Sequence, residues 1–149
     1  MISKERYVID TNSIIFYFEK VFKQPCALSK RAQNIISEGF NYNSNILLVI
    51  PSIVFVEIQN KWFKTEEFAK TFYYEVYMRI SESENIEVKP IEQEVLSNLK
   101  HIRGILSNHD IHDKLILASA IMLNCPLIST DGKIEEFVKT TKIIPSIIN

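Results

Sequence analysis

Short runs of apolar residues alternate along the chain with longer stretches in which apolar residues recur every three or four positions. The short runs have the length and composition of β-strands, and the longer stretches have the spacing of amphipathic helices. Strands are predicted over five runs: 6–9, 46–50, 86–89, 126–129 and 142–147. The run at 46–50 is apolar at every position, which is typical of a strand covered on both faces.

The longer stretches predict helices between the strands. Ser29 is a plausible N-cap, and Gly39 a plausible stop, for one of them. In another, Phe68, Phe72 and Val76 form one apolar stripe. Helices are predicted around Ile14–Phe22, from Ser29 to just before Gly39, after Ser52, over 66–82, over 92–105, from near His112 to Leu123, and in a short stretch after Asp131.

This alternation of strands and helices predicts an α/β fold with a parallel sheet and helices on both faces. In such sheets ligands bind at the carboxyl ends of the strands, so this edge is where a functional site is expected. The chain has no internal repeat or Gly/Ser-rich linker, and it contains only three glycines. We therefore expect a single domain over residues 1–149.

Composition and charge narrow the class of function. Hydrophobic residues make up 46% and charged residues 23% of the chain, which is the balance of an ordinary globular protein. The formal net charge of −1 counts against a large nonspecific grip on RNA. This net charge is compatible with a nuclease in which the negative charge of an acidic metal site cancels the positive charge of basic residues elsewhere.

The cysteines and the apolar segments favour a cytoplasmic protein. Cys26 and Cys125 are far apart and lack metal-ligand spacing, which fits a reducing compartment. Charged residues interrupt the first ten positions, so no secretory signal is expected. The most apolar stretch, Ile46–Ile58, falls short of the roughly 20 apolar residues that a membrane span needs.

Three acids stand next to apolar runs, where an ionised carboxylate is costly unless something compensates it. Asp10 and Asp131 each follow a predicted strand, so both are expected at the carboxyl edge of the sheet. Glu57 lies about five residues into the next helix, which places it only ~7–8 Å above that edge. Asp113 begins a helix that leads to the strand at 126–129, and we expect that start at the opposite edge unless the helix is tilted.

Each acid also has a structural interpretation. Asp10 is suited to a turn or helix cap, Asp113 to stabilising a helix dipole, and Asp131, before Gly132, to a turn. Taken singly, the structural interpretation is favoured for Asp113 and Asp131. Glu57 favours function, because an acid among large apolar residues needs an explanation.

Four carboxylates in one pocket would repel one another and resist full ionisation. Hard divalent cations such as Mg²⁺ or Mn²⁺ prefer oxygen ligands and relieve that repulsion. One or two such ions could activate water and polarise a phosphoryl oxygen. The residue pattern therefore favours metal-dependent phosphodiester hydrolysis.

Four segments, in this order, resemble the PIN-domain (PilT N-terminus) nuclease family, and they span nearly the whole chain. They are Tyr7-Val8-Ile9-Asp10-Thr11-Asn12, Pro51 to Ile58, Asp110 to Ala120, and Leu127-Ile128-Ser129-Thr130-Asp131. The resemblance implies a three-layer α/β/α sandwich around a parallel sheet of four or five strands. It also implies Mg²⁺ or Mn²⁺ held by Asp10, Glu57, Asp113 and Asp131, with Asp113 brought to the site.

The same resemblance suggests accessory residues. Thr11, Asn12 and Thr130 match positions that orient the metal, its water or the phosphate. Asp110 matches an accessory acid in a variant that reads Asp-Pro-x-Asp, but Ile111 stands here in place of the proline. In length the chain is similar to the VapC-type toxins of bacterial toxin–antitoxin pairs, which implies an RNA substrate and a small antitoxin partner.

Other polar residues near the motifs have both a functional and a simpler interpretation. His109 and His112 could act on a phosphate or as acid–base groups, but exposed helix-start positions are favoured. Lys114 and Lys133 are candidate contacts to RNA phosphates, although a solvated lysine is the default.

The segment 53–78 is rich in aromatic residues. They fit an antitoxin groove, a homodimer face or base stacking, with core packing favoured for Phe68 and Phe72. Tyr73 and Tyr74 cannot both point inward on one helix, so at least one is expected to meet a partner or solvent.

Alternative functions stay open at this point. The chain could be a stand-alone PIN nuclease in RNA processing, or a catalytically silent PIN-fold scaffold that binds RNA or protein. A phosphatase of the aspartyl-phosphate type would use Asp10 as nucleophile and want a second acid two residues on, where Asn12 stands.

Overall fold

A five-stranded parallel sheet forms the centre of the computed structural model, which describes residues 3–149. The strands are β1 (Glu5–Ile9), β2 (Ile46–Pro51), β3 (Ile86–Lys89), β4 (Leu127–Ile128) and β5 (Ile147–Ile148). Their order across the sheet is β3-β2-β1-β4-β5, and every neighbouring pair is parallel. With helices flanking the sheet, the α/β architecture predicted from the sequence is confirmed.

Helices connect the strands. They are α1 (Thr11–Tyr17), α2 (Glu19–Phe22), α3 (Lys30–Gly39), α4 (Ile53–Trp62), α5 (Glu66–Phe72), α6 (Met78–Glu82), α7 (Gln93–Ser97), α8 (Ile111–Leu123) and α9 (Gly132–Thr141). None of the helices formed by the described residues has the length and apolarity that crossing a membrane requires.

Local sequence explains where the first helices begin and end. The Ser29 side chain caps α3 by accepting a hydrogen bond from the backbone N–H of Ala32, as its position predicted. Gly39 ends the same helix against Leu48, where a Cβ atom would collide with the leucine side chain. The predicted start of α3 is therefore confirmed, and the helix ends at Gly39, one residue later than predicted.

The predicted helix at 66–82 is continuous but changes its winding. A π-helical turn over Tyr73–Tyr77 separates α5 from α6. Phe72 and Val76 are buried, as their stripe predicted, while Tyr73 and Tyr74 are both exposed. The tyrosine rings instead contact one another and Phe55 at the surface.

Two predicted boundaries are wrong. The helix expected over 92–105 ends at Ser97 and is followed by 3₁₀ turns over Asn98–His101 and Gly104–Leu106. Between the two turns the backbone is extended at Ile102 and Arg103, and Gly104 is left-handed with φ of +69°. The last strand occupies Ile147–Ile148 rather than 142–147, since α9 extends to Thr141 and Lys142 forms its left-handed cap.

Candidate active site

The strand order of the sheet reverses between β1 and β4, which makes this a topological switch point. From β1 the chain crosses to β2 on one side, and from β4 it crosses to β5 on the other. The carboxyl ends of two such strands border a crevice, which is the usual ligand site of an open α/β sheet. Asp10 and Asp131 follow these two strands, so both candidate ligands lie where the strand-end rule predicted them.

Asp10 is buried and serves as the N-cap of α1, where its Oδ1 accepts a hydrogen bond of 2.9 Å from the Ser13 backbone N–H. Burial raises the pKa of its carboxyl. Interactions with the side chains of Ser129 and Ser13 oppose that rise, and the charge of Asp131 adds to it. The carboxyl is thus held in place within a site that disfavours its negative charge.

Ser13 and Ser129 support the site, and sequence reasoning missed them. Both are buried, and the Ser13 hydroxyl donates to the Ile128 carbonyl at 3.1 Å, which ties α1 to β4. The Ser129 hydroxyl accepts a hydrogen bond from the Asp131 backbone N–H. Their positions, three residues after Asp10 and two before Asp131, were the available signal, because serines this close to a helix-capping acid often share its hydrogen bonds.

Asp131 caps α9 in the same manner as Asp10 caps α1. Its Oδ1 accepts hydrogen bonds from the backbone N–H groups of Lys133 and Ile134, at 2.9 and 3.1 Å. Its other oxygen, Oδ2, lies 3.1 Å from His109 Nε2. Capping therefore uses one oxygen of Asp131 and leaves the second available to the site.

Asp113 lies in the first turn of α8, half-buried, on the same side as the other acids. Its carboxyl belongs to a group with His109 and Asp131 whose candidate ligand atoms all lie within 4.8 Å of one another. The expectation that this helix starts at the opposite edge was wrong. A helix that returns to the amino end of a parallel strand runs antiparallel to it and therefore begins at the carboxyl edge.

The charge environment of Asp113 links all four acids. Its pKa is raised to about 6, first by burial and then by the charges of Glu57, Asp10 and Asp131, with His109 opposing the rise. Like charges this close disfavour ionisation of the group they surround. This is the condition that a bound divalent cation relieves.

Glu57, on α4, is 5% exposed, so the predicted buried acid is present. Its Oε2 accepts a hydrogen bond of 2.8 Å from Lys61, one helical turn further along, and lies 3.8 Å from His112 Nδ1. Lys61 was not among the predicted residues. Its position four residues after an acid was the available signal, because such pairs meet on one helix face.

His109 and His112 are not the exposed helix-start residues that were expected. Their side chains are only 14% and 21% exposed, and each meets site acids. His112 Nδ1 lies 2.9 Å from Asp110 Oδ1. Asp110 itself is exposed and caps α8, and the backbone N–H of His112 lowers the pKa of its carboxyl.

The remaining predicted residues differ in how available they are. Thr11 is buried, and its Oγ1 has no hydrogen-bond partner among residues 3–149. Asn12 is exposed and Thr130 half-buried, and both adjoin a candidate ligand. The Lys114 ammonium donates to the Ser107 carbonyl at 2.6 Å and is therefore engaged in holding a loop. Lys133 is exposed.

These residues fit a hard divalent cation. The donors are carboxylate oxygens with two imidazole nitrogens nearby, and the described residues offer no hydrogen-bond partner to the buried Thr11 hydroxyl beside Asp10. Oxygen-rich donor sets of this kind suit Mg²⁺ and Mn²⁺.

Comparison with known proteins identifies the fold. No family model matches the chain, and no curated protein matches its sequence. A chain in the crystal structure of VapBC2 from Rickettsia felis, bound to a DNA fragment from its promoter, superposes with a TM-score of 0.61 and 20% identity over 96% of both chains. The chain has a VapC-like PIN-domain fold. At 20% identity the superposition shows the PIN-like fold alone, and it does not show an activity.

Two further structures share this PIN-like fold. FitAcB from Neisseria gonorrhoeae gives a TM-score of 0.59 at 14% identity, and a toxin–antitoxin complex from Klebsiella pneumoniae gives 0.55 at 19% identity. Each match covers 96% of this chain and 96% of the other. Their similarity therefore extends over the whole sheet and the helices around it.

Proposed function

We propose that this chain is a cytoplasmic, divalent-metal-dependent endoribonuclease and the toxin of a toxin–antitoxin pair. One observation carries the catalytic part: the charges of Asp10, Glu57 and Asp131 all act on Asp113 at the β1–β4 edge of the sheet. Like charges this close disfavour ionisation, and a bound divalent cation relieves that cost. The PIN-like fold of toxin–antitoxin proteins supports the same proposal.

In this proposal Asp10, Asp113 and Asp131 hold the metal, and Glu57 holds metal or orients the attacking water. Bound Mg²⁺ or Mn²⁺ lowers the pKa of a coordinated water and polarises a phosphoryl oxygen. The protein contributes fixed positions. Backbone N–H groups clamp one oxygen of Asp10 and one of Asp131, so neither carboxylate needs to reorganise when a substrate binds.

The substrate is proposed to be single-stranded or loop RNA, because such a backbone can enter an acidic pocket that a duplex cannot. Thr11 and Thr130 are next to Asp10 and Asp131 in the chain and are proposed to orient water or a phosphate oxygen. Lys133 is exposed at the start of α9 and is the better candidate for an RNA phosphate than Lys114, whose ammonium is already bound to the Ser107 carbonyl.

Hydrolysis of a structured RNA tests the catalytic proposal directly. With Mg²⁺ or Mn²⁺ present, the wild type should cleave, and Asp10→Asn should reduce the cleavage rate by at least about 100-fold, the size expected for a group on which nucleophile formation depends. The exposed pair Glu66–Lys70 offers a control, since Glu66→Gln should leave the rate unchanged. Equal rates for Asp10→Asn and the wild type would refute the assignment.

The antitoxin partner is proposed to cover an exposed aromatic face beside α4. Tyr74 is 65% exposed and Val56 is 54% exposed, while Tyr73 and Tyr77 stack at 5.8 Å on the same surface. Large exposed apolar patches mark interaction sites. The tyrosines belong to the π-helical turn between α5 and α6, and Phe55 of α4 packs against Tyr77 with ring centroids 5.5 Å apart.

Co-purification with the product of a short adjacent reading frame tests this partner. Tyr74→Arg should weaken the complex at least tenfold, whereas Tyr42→Arg, at a tyrosine 75% exposed before β2, should not. If Tyr74→Arg instead abolishes self-association of the isolated chain and leaves the complex intact, the face is a homodimer interface and the antitoxin assignment is wrong.

A further inference from the structure

The acids around the crevice form two groups, each with its own histidine. One group contains His109, Asp113 and Asp131, and the other contains Glu57, Asp110 and His112. In each group the candidate ligand atoms lie within 4.8 Å of one another. The segment His109-Asp110-Ile111-His112-Asp113 contributes to both, so α8 begins between them.

Only the second group already contains a permanent positive charge. The Lys61 ammonium lies 2.8 Å from Glu57 Oε2, and the charges of Asp110 and Asp113 act on it as well as that of Glu57. The ammonium therefore already occupies the Glu57 oxygen that a cation bound there would need.

The first group has no such charge. Among residues 3–149, no lysine or arginine nitrogen lies within 4.0 Å of a carboxylate oxygen of Asp10, Asp113 or Asp131. His109 is the nearest basic group, and it contacts Asp131. The two groups therefore offer very different environments to an incoming cation.

We propose that the chain binds a single divalent cation, held on the Asp10, Asp113 and Asp131 side, and that the Lys61 ammonium supplies the second positive charge at Glu57. This inference rests on the proposed metal-dependent function. A second divalent ion at Glu57 would have to displace the ammonium from the oxygen it needs, or bind beside it against like-charge repulsion.

An ammonium group suits this role. It carries three N–H donors, of which Glu57 uses one, so the others are free to meet a phosphate oxygen of the substrate. The Lys61 side chain is 54% exposed, which leaves its head accessible from the RNA side. Lys61 would thus neutralise part of the charge of the transferring phosphate, as a second metal does in two-metal sites.

Calorimetric titration of the RNA-free protein with Mn²⁺ measures the number of ions bound. The wild type should bind one, Lys61→Gln should bind two, and Lys61→Arg should again bind one. Lys70→Gln is the matched control, because Lys70 also pairs with an acid four residues earlier, Glu66, but far from the cluster. This control should bind one ion, like the wild type.

Each outcome separates this inference from the function on which it rests. Two ions in the wild type, or one ion in Lys61→Gln, overturn the role of Lys61 while leaving a metal-dependent nuclease possible. No ion in the wild type at millimolar Mn²⁺ overturns the proposed function itself. One ion in the wild type and two in Lys61→Gln support both.

Discussion

The four acids differ in how their negative charge is compensated. Glu57 has the Lys61 ammonium, and Asp131 has two backbone N–H groups and His109. Asp10 is buried with one backbone N–H and nearby serine hydroxyls. The pKa values of Asp10 and Asp113 are both raised, that of Asp113 to about 6. The proposed metal would therefore relieve both carboxyls.

The raised pKa of Asp113 predicts how stability depends on pH in the metal-free protein. Between about pH 4 and pH 6 the folded state holds a proton on Asp113 that the unfolded state has lost, so the free energy of unfolding falls as pH rises through this range. Above pH 6 the cost is fully present. It amounts to about 1–2 kcal/mol, since solvent screens a partly exposed carboxyl.

Asp113→Asn removes this cost and should raise the melting temperature of the metal-free protein at pH 7.5 by roughly 2–6 °C. The difference should vanish below about pH 4, where the wild-type carboxyl is protonated in both states. Asp110→Asn is the contrasting control, because the pKa of Asp110 is lowered and its charge is favoured by folding. Thermal melts from pH 4 to 8 measure both variants, and a gain for Asp113→Asn that persists at pH 4 would contradict the charge explanation.

At the scale of elements, helix caps and candidate metal ligands turn out to be the same residues. Asp10 and Asp131 each cap the helix that follows a central strand. The sequence left capping and metal binding as alternatives, yet a carboxylate has two oxygens and can serve both purposes. The cap aligns the carboxylate with the helix axis and so fixes where the second oxygen points.

Periodicity predicted the elements whose interactions are local. The apolar run of β2 and the Ser29-to-Gly39 pattern of α3 each specify their structure within a few residues. The positions of Asp113 and His109 depend on how α8 packs against strands far away in the chain. The parallel topology, applied correctly, puts the start of α8 and Asp113 at the carboxyl edge, as the family resemblance implied. The contact of His109 with Asp131 depends on the loop before α8, which residue spacing does not predict.

The sequence pattern also did not predict where helices change their hydrogen-bonding pattern. The π-helical turn at Tyr73–Tyr77 inserts one residue into a helix whose apolar stripe stays intact at Phe72 and Val76. Tyr73 and Tyr77 stand at the two ends of this turn, and their rings stack with centroids 5.8 Å apart. π-Bulges are found at functional sites, and here the bulge forms the aromatic face proposed to bind a partner.

At the scale of the whole molecule, the strand order concentrates negative charge that the sequence distributes evenly. The four acids are separated by up to 121 positions in the chain, from Asp10 to Asp131, and the formal net charge is only −1. Because the overall charge is close to zero, general screening by salt should change stability little. A cation that binds at the crevice should change it far more.

Divalent metal is therefore predicted to stabilise the folded chain specifically. At a concentration 100 times its dissociation constant, a ligand that binds only the folded state adds about 2.7 kcal/mol, which corresponds to roughly 5–10 °C in melting temperature for a chain of this size. The shift should be much smaller in Asp131→Asn, which loses a ligand oxygen. Sodium chloride at matched ionic strength is the control, because it screens charge without occupying the site. An equal shift in melting temperature with sodium chloride would mean that salt merely screens the acids. A shift confined to Mg²⁺ or Mn²⁺ would identify the acids as metal ligands. This test measures only the stability of the fold and needs no measurement of RNA cleavage.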